Sequence, residues 1–187
     1  MQASLKGRDA AFARALREQV EKTGGYFEGD VAMVKSESGL DAFEAEVKLA
    51  REASATVART VFTGGRRYEI FKTMEDFRRF TTGAEHSLTL AEPVLRKHQV
   101  KLAIENHKDH TAPELAALLR KFSSEWIGAL VDTGNNLALL EEPHEAVAAL
   151  APFALSVHLK DMALQPHADG FLLSEVIFSR ASSISRA

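Results

Sequence analysis

The chain has 187 residues, of which 45% are hydrophobic and 26% are charged, and its formal net charge at pH 7 is −3. These fractions are ordinary for a globular domain, and the length suffices for one domain with a sizeable core. The slightly acidic balance gives no support for a nucleic-acid partner, which usually requires a basic face. Because the chain contains no cysteine, disulfides and a cysteine-ligated zinc site are excluded.

No targeting or membrane-spanning segment is predicted. The first residues, MQASLKGRDAAFARAL, are amphipathic and charged, and they lack the uninterrupted apolar stretch of a signal peptide. Nowhere does the sequence contain a run of about 18 apolar residues, which a membrane-spanning helix needs. We therefore expect no membrane partner and a cytoplasmic location.

Short apolar strands alternate with amphipathic helices along most of the chain. This order indicates parallel βαβ units, so we predict an α/β fold in one domain over 1–176. A Ser/Arg-rich stretch over 177–187 is predicted to be an irregular tail. The predicted helices cover 5–23, 38–53, 73–98, 111–122 and 143–151, and the predicted strands cover 26–28, 56–62, 100–105, 127–131 and 154–159.

Two of these helices carry clear start signals. Thr73 with Asp76, and Thr111 with Glu114, have the spacing of a capping box, in which a hydroxyl and an acidic side chain each bond the other residue's backbone. Within the first of these helices, Pro93 is expected to interrupt or kink the helix.

Three predicted strands end in polar side chains that could bind a metal. Glu105 stands in IENH, Asp132 in VDTGN and His158 in VHLKD. The carboxyl ends of parallel strands lie on one side of a sheet or barrel, where ligands bind. Two carboxylates and an imidazole suit Mn²⁺, Mg²⁺, Co²⁺ or Zn²⁺ and do not choose among them. The alternative is that these are ordinary strand-end residues, since Asp and Asn also favour turns.

The segments LAIENHKDHTAPELAALL, GALVDTGNNLALLEEPHEAV and SVHLKDM resemble, in this order, the sugar phosphate isomerase/epimerase family with a xylose-isomerase-like barrel. The resemblance covers most of residues 10–176. It implies a partial (β/α)8 TIM barrel, with about five parallel strands and helices outside. It also implies that Glu105, Asp132 and His158 bind the metal, and that Glu105 is a catalytic acid/base. The implied reaction is isomerisation or epimerisation of a small sugar, polyol or sugar phosphate through an enediolate.

The sequence departs from this family in two respects. The final barrel strand and its glutamate are expected to be absent, because the setting of Glu175, LLSEV, does not match that position. The first two strands also lack a counterpart, and a full barrel typically needs about 250 residues. We therefore expect a truncated barrel whose activity is in doubt, and whose free edges favour a homo-oligomer or aggregation.

Four further residues are candidate substrate contacts: His107, Asn135, Lys160 and Arg59. Three of them have a structural alternative: His107 could cap the next helix, Lys160 could form a solvated loop pair, and Arg59 could be a surface residue. Asn135 stands where related abasic-site endonucleases place a histidine, which argues against a multi-zinc nuclease.

Three other functions stay open beside the isomerase. The same metal site could serve a lyase or dehydratase acting on a hydroxy acid. A nuclease cutting at abasic sites is less favoured. The chain could also be a catalytically inactive remnant that only binds a sugar or a partner subunit.

Overall fold

The structure, a computed structural model, describes residues 1–177. Six parallel strands form one sheet and pair in chain order. They are β1 (Gln2–Ala3), β2 (Glu28–Asp30), β3 (Val57–Thr60), β4 (Lys101–Glu105), β5 (Ile127–Asp132) and β6 (Ala154–His158). The helices that connect them are α1 (Ala10–Lys22), α2 (Leu40–Glu52), α3 (Arg67–Ile70), α4 (Met74–His98), α5 (Ala112–Phe122) and α6 (Pro143–Leu150).

The predicted α/β fold is confirmed, with two additions. The sheet has six parallel strands rather than five, because β1 pairs with β2 through Gln2 and Ala3. After β6, a hairpin of β7 (Asp161–His167) and β8 (Gly170–Val176) forms a separate antiparallel sheet. The strand predicted over 26–28 lies two residues further on. The predicted tail, apart from its first residue, lies outside the described residues, so the domain division at 176 stays a prediction.

Both predicted capping boxes are present. In α4, Oγ1 of Thr73 accepts from the backbone N–H of Asp76, and the Asp76 carboxylate accepts from the backbone N–H of Thr73, both at 3.1 Å. In α5, Thr111 and Glu114 exchange the same pair of bonds. The interruption expected at Pro93 is wrong, since α4 runs through it, while the alternative of a kink stays a prediction. Packing of the helix's buried face against the sheet offsets the backbone bond that proline removes.

The two faces of the sheet differ in chemistry because strand side chains alternate. One face packs on the helices and forms the main core, with Leu102 and Ile104 of β4 fully buried against it. Gly29 of β2 lies so close to α2 that an added Cβ would meet the Cβ of Ala50 at 2.7 Å. Glycine at this position therefore lets α2 pack on the sheet.

The other face is concave and polar. Ser156 of β6 donates to Glu28 Oε1 of β2 at 2.5 Å, although three strands separate β2 from β6 in the sheet. Such a contact requires the sheet to curl, as in a barrel whose interior lies between these strands. Among residues 1–177, β6 pairs only with β5, so its outer edge is open.

None of the helices within residues 1–177 combines the length and the apolar character needed to span a bilayer.

Candidate metal centre

Glu105, Asp132 and His158 lie together at the carboxyl ends of β4, β5 and β6. The three strands are neighbours, and Asp132 pairs directly with His158 in the register. Each side chain offers one ligand atom, and these atoms lie within 4.8 Å of one another. Glu105 is 3% exposed and Asp132 is 1% exposed, whereas His158 is half-buried. The convergence expected from the sequence is therefore present, while metal binding itself stays a prediction.

The carboxylate of Asp132 has one satisfied oxygen and one that lacks a hydrogen bond. Its Oδ1 accepts from the backbone N–H groups of Gly134 at 2.8 Å and Asn135 at 2.9 Å. Its Oδ2 is buried and accepts no hydrogen bond. The Lys160 ammonium lies 3.3 Å from Oδ2, which is ion-pair distance. A buried carboxylate oxygen without a hydrogen bond is rare and costly, so this donor set fits a divalent cation.

Asn106 fixes the position of Asp132. Its Oδ1 accepts from the backbone N–H of Asp132 at 2.7 Å, and its Nδ2 donates to the carbonyl oxygen of the same residue at 3.0 Å. Both residues are buried, so the strand ends that carry Glu105 and Asp132 are held at a fixed spacing.

Both oxygens of Glu105 accept hydrogen bonds from side chains. Arg59 Nε donates to Oε2 at 2.6 Å, and Asn135 Nδ2 donates to Oε1 at 2.7 Å. Each carboxylate oxygen keeps a second lone pair for another partner. Donors of this kind orient a ligand without blocking it.

The guanidinium of Arg59 is shared between two carboxylates, since it also donates to Asp30 at 3.2 Å. Burial works to lower the pKa of Arg59, but Glu105 and Asp30 outweigh it and raise that pKa. Arg59 is thus a permanent cation between two acids. This contact makes it an orienting group for Glu105, and substrate contact stays a prediction.

Lys160 and His107 also lie at this site. The Lys160 ammonium is 3.1 Å from Asn135 Oδ1 and 3.0 Å from Glu175 Oε1. Burial works to lower the pKa of Lys160, but Glu175 and Asp132 raise it overall. His107 Nδ1 lies 3.2 Å from the carbonyl oxygen of Thr63.

These residues line one polar cleft of about 560 Å³. It contains the three candidate ligands, three of the four candidate substrate contacts and Glu175 of the hairpin. A larger cavity of about 1080 Å³ lies between the hairpin and α6 and is mainly apolar, but it contains none of these residues. The candidate ligands and most of the candidate substrate contacts therefore share the smaller cleft.

Two residues of the site were not predicted from the sequence. Asn106 directly follows Glu105, and a buried amide at a strand end is a signal that could have singled it out. The setting of Glu175, LLSEV, does not fit the final barrel strand, yet the hairpin of β7 and β8 brings Glu175 into the cleft.

Curved parallel strands, outer helices and a polar site at the strand ends define a barrel-type α/β protein with its candidate site at the usual pole. Residues 11–177 match the family described as the xylose isomerase-like TIM barrel. The chain belongs to this family, as the resemblance predicted.

Solved structures of similar fold include a xylose isomerase domain protein from Planctomyces limnophilus. It is 15% identical with a TM-score of 0.64, over 94% of this chain and 69% of that chain. A D-psicose 3-epimerase is also 15% identical with a TM-score of 0.63, over 81% of this chain and 58% of the epimerase. At these identities the similarity establishes the fold.

A curated relative is the 3-oxo-isoapionate decarboxylase of Pectobacterium atrosepticum. It is 28% identical over 71 residues, which are 38% of this chain and 26% of the decarboxylase. The chain thus matches about a quarter of the length of this curated relative.

Proposed function

We propose that the chain is a metal-dependent isomerase or epimerase of a small sugar, polyol or sugar phosphate. The observation that carries the proposal is the convergence of Glu105, Asp132 and His158, together with the buried Asp132 oxygen that has no hydrogen bond. The family and its epimerase neighbours support the same class of reaction.

In this proposal, Glu105, Asp132 and His158 hold a divalent ion, which is Mn²⁺, Mg²⁺, Co²⁺ or Zn²⁺. When bound, such an ion polarises a substrate carbonyl and makes the neighbouring C–H more acidic. Glu105 takes or returns the proton, because Arg59 and Asn135 hold its carboxylate in one orientation at the cleft. A base held in this way can meet the geometric requirement of proton transfer.

The other polar residues of the cleft bind the substrate. His107 and Lys160 line the cleft and present hydrogen-bonding groups beside the candidate ligands, and these groups suit the hydroxyls of a sugar. Asn135 is 1% exposed and bonds both Glu105 and Lys160, so it contributes through these two residues. Arg59 acts through Glu105. For a substrate phosphate, Lys160 offers an ammonium in the cleft that is not paired with Glu105.

A lyase is the second candidate, and the similarity to a decarboxylase over 71 residues favours it. The same three residues would hold the metal ion. In the lyase the substrate would lose its carboxylate as carbon dioxide, whereas in the epimerase it would lose and regain a proton. Lys160 is suited to holding that carboxylate as an ion pair. The two reactions differ in their products.

The direct test is proton exchange with solvent. We would incubate the full chain with Mn²⁺ and a panel of ketoses and sugar phosphates in D₂O, and follow deuterium entry beside the carbonyl by NMR. Exchange is expected in the unsubstituted chain and should be lost in Glu105→Gln. The matched control is Glu125→Gln, because Glu125 is an exposed glutamate outside the cleft.

The alternatives give different results. Carbon dioxide released from 3-oxo sugar acids, without exchange into ketoses, would favour the lyase. Nicking of DNA containing abasic sites would favour the nuclease. Metal binding with no turnover of any substrate would favour an inactive binding domain.

A further inference from the structure

The Lys160 ammonium occupies a cation position between the candidate metal centre and the hairpin. Its Nζ lies 3.3 Å from Asp132 Oδ2, 3.1 Å from Asn135 Oδ1 and 3.0 Å from Glu175 Oε1. Three oxygen atoms around one ammonium resemble the setting that a metal ion would require. The closest of them belongs to Glu175, which comes from a different sheet from the candidate ligands.

The backbone of Lys160 is fixed, whereas its side chain has a choice of partners. The residue exchanges two hydrogen bonds with Thr133, from its N–H to Oγ1 at 3.0 Å and from that hydroxyl to its carbonyl oxygen at 3.2 Å. The four-carbon stem is flexible and ends in a point charge with three donors. From one backbone position, the ammonium therefore contacts both Asp132 and Glu175.

Asp132 Oδ2 cannot serve a divalent ion and Lys160 equally well at the same time. Two cations beside one carboxylate oxygen repel each other, and this repulsion is strong where burial excludes water. The ion pair between Lys160 and Oδ2 is the longer of the two, at 3.3 Å. The contact with Glu175 is a hydrogen-bonded ion pair. Lys160 can therefore leave Asp132 and keep a charged partner.

We propose that Lys160 is a built-in counter-cation that competes with a divalent ion for Asp132, and that Glu175 retains the ammonium when the ion binds. The inference rests on the proposed metal site, and it adds that Lys160 lowers the affinity of that site for the ion. Glu175 accordingly acts as a positioning residue: it acts through Lys160.

The test is a calorimetric titration of Mn²⁺ into the full chain and four variants. Lys160→Gln should bind Mn²⁺ roughly tenfold more tightly, since a charge that competes for Asp132 is gone. Glu175→Gln should bind about threefold more weakly, because Lys160 then has Asp132 as its remaining carboxylate. The matched control is Lys121→Gln, which removes a surface lysine that pairs with Glu85 and should leave the affinity unchanged.

The double variant separates this mechanism from simple loss of negative charge. If Glu175 acts through Lys160, then Glu175→Gln should have little effect in the Lys160→Gln background. If Glu175 attracts the ion directly, the loss should be the same in both backgrounds, and this would overturn the proposal. Thermal melting adds a second readout: without metal, Lys160→Gln should melt below the unsubstituted chain, and Mn²⁺ should raise its melting temperature by more.

Failure of the inference can be distinguished from failure of the metal site. Equal or weaker binding by Lys160→Gln, with normal binding by the unsubstituted chain, overturns the role of Lys160 and leaves the site standing. Absence of binding in every variant overturns the metal site itself. If Lys160→Gln does not fold, Glu175→Gln can still overturn the inference, because Glu175 is 61% exposed and its replacement is tolerable; unchanged affinity in that variant would do so.

Discussion

Asn106 and Asp132, at the ends of neighbouring strands, are joined by two hydrogen bonds between the side chain of one and the backbone of the other. The Asp132 N–H donates to Asn106 Oδ1 at 2.7 Å, and Asn106 Nδ2 donates to the Asp132 carbonyl oxygen at 3.0 Å. Beyond Glu105 the ladder between β4 and β5 is weak, since the Asn106 N–H lies 3.4 Å from the Leu130 carbonyl oxygen. The side chain of Asn106 thus takes over the function of the backbone ladder at the site.

Replacement of Asn106 by alanine should destabilise both the fold and the site. The substitution leaves a buried N–H and a buried carbonyl oxygen without partners, which costs about 2–3 kcal/mol in the free energy of unfolding. Urea denaturation measures this loss. Asn136→Ala is the comparison variant, because the buried side-chain amide of Asn136 makes one such bond, to the Glu141 carbonyl oxygen. The free energy of unfolding should therefore fall by less in Asn136→Ala than in Asn106→Ala. Equal losses in the two variants would contradict the role given to Asn106.

Glu114 should make stability depend on pH on the acid side. Partial burial opposes its ionised form, but the Thr111 N–H and Arg67 outweigh burial and lower the pKa of Glu114. A carboxyl whose folded pKa lies below its unfolded value near 4.5 stabilises the fold above that value, and this stability is lost as the pH falls through the folded pKa. Glu114→Gln should therefore destabilise at pH 7 by about 1 kcal/mol or less, and the difference should shrink below pH 4.5.

Glu141 provides the matched control for Glu114, because its pKa is shifted in the opposite direction. It also caps the first turn of α5, accepting from the Ala112 N–H at 2.8 Å. Burial and the nearby Glu114 raise the pKa of Glu141, so its ionisation above pH 4.5 works against the fold. A glutamine oxygen can accept the same bond. Glu141→Gln should therefore be neutral or stabilising at pH 7 in urea denaturation, and a loss like that of Glu114→Gln would contradict this reading.

The open edge of β6 should promote self-association. Val157 points away from the curved interior and is 53% exposed. Within residues 1–177, the backbone of its strand, β6, pairs with β5 on one side and with no strand on the other. Exposed apolar edge strands tend to pair with another chain, and a lysine on the edge prevents this. Sedimentation velocity should show concentration-dependent association that Val157→Lys reduces. Tyr68→Lys, at an exposed aromatic residue of α3, is the control and should associate as before.

The sequence predicts those features that depend on residues close together in the chain or on a pattern shared by several strands. The capping boxes at Thr73 and Thr111 depend on residues three positions apart, and both are present. Glu105, Asp132 and His158 could be grouped because parallel strands end at a common pole. Their separation, however, depends on the curl of the sheet, and no pattern of residues reports that curl.

The features that escaped prediction depend on contacts between distant segments. The strand β1 has two residues, too few to show periodicity, and it exists because it pairs with β2. Glu175 reaches the cleft because β7 and β8 fold back on each other, and Pro166 in β7 is a residue type that strand interiors disfavour. The sequence does not single out Asn106, because its partner, Asp132, is 26 residues away.

Metal binding at the strand ends is the central claim, and Mn²⁺ calorimetry on the unsubstituted chain, Asp132→Ala and His158→Ala tests it most directly. We expect one Mn²⁺ per chain for the unsubstituted protein. We expect an affinity lower by at least about tenfold in Asp132→Ala and in His158→Ala, and an unchanged affinity in Glu125→Gln. Binding of the same strength in Asp132→Ala and His158→Ala, or no binding at all by the unsubstituted chain, would contradict it.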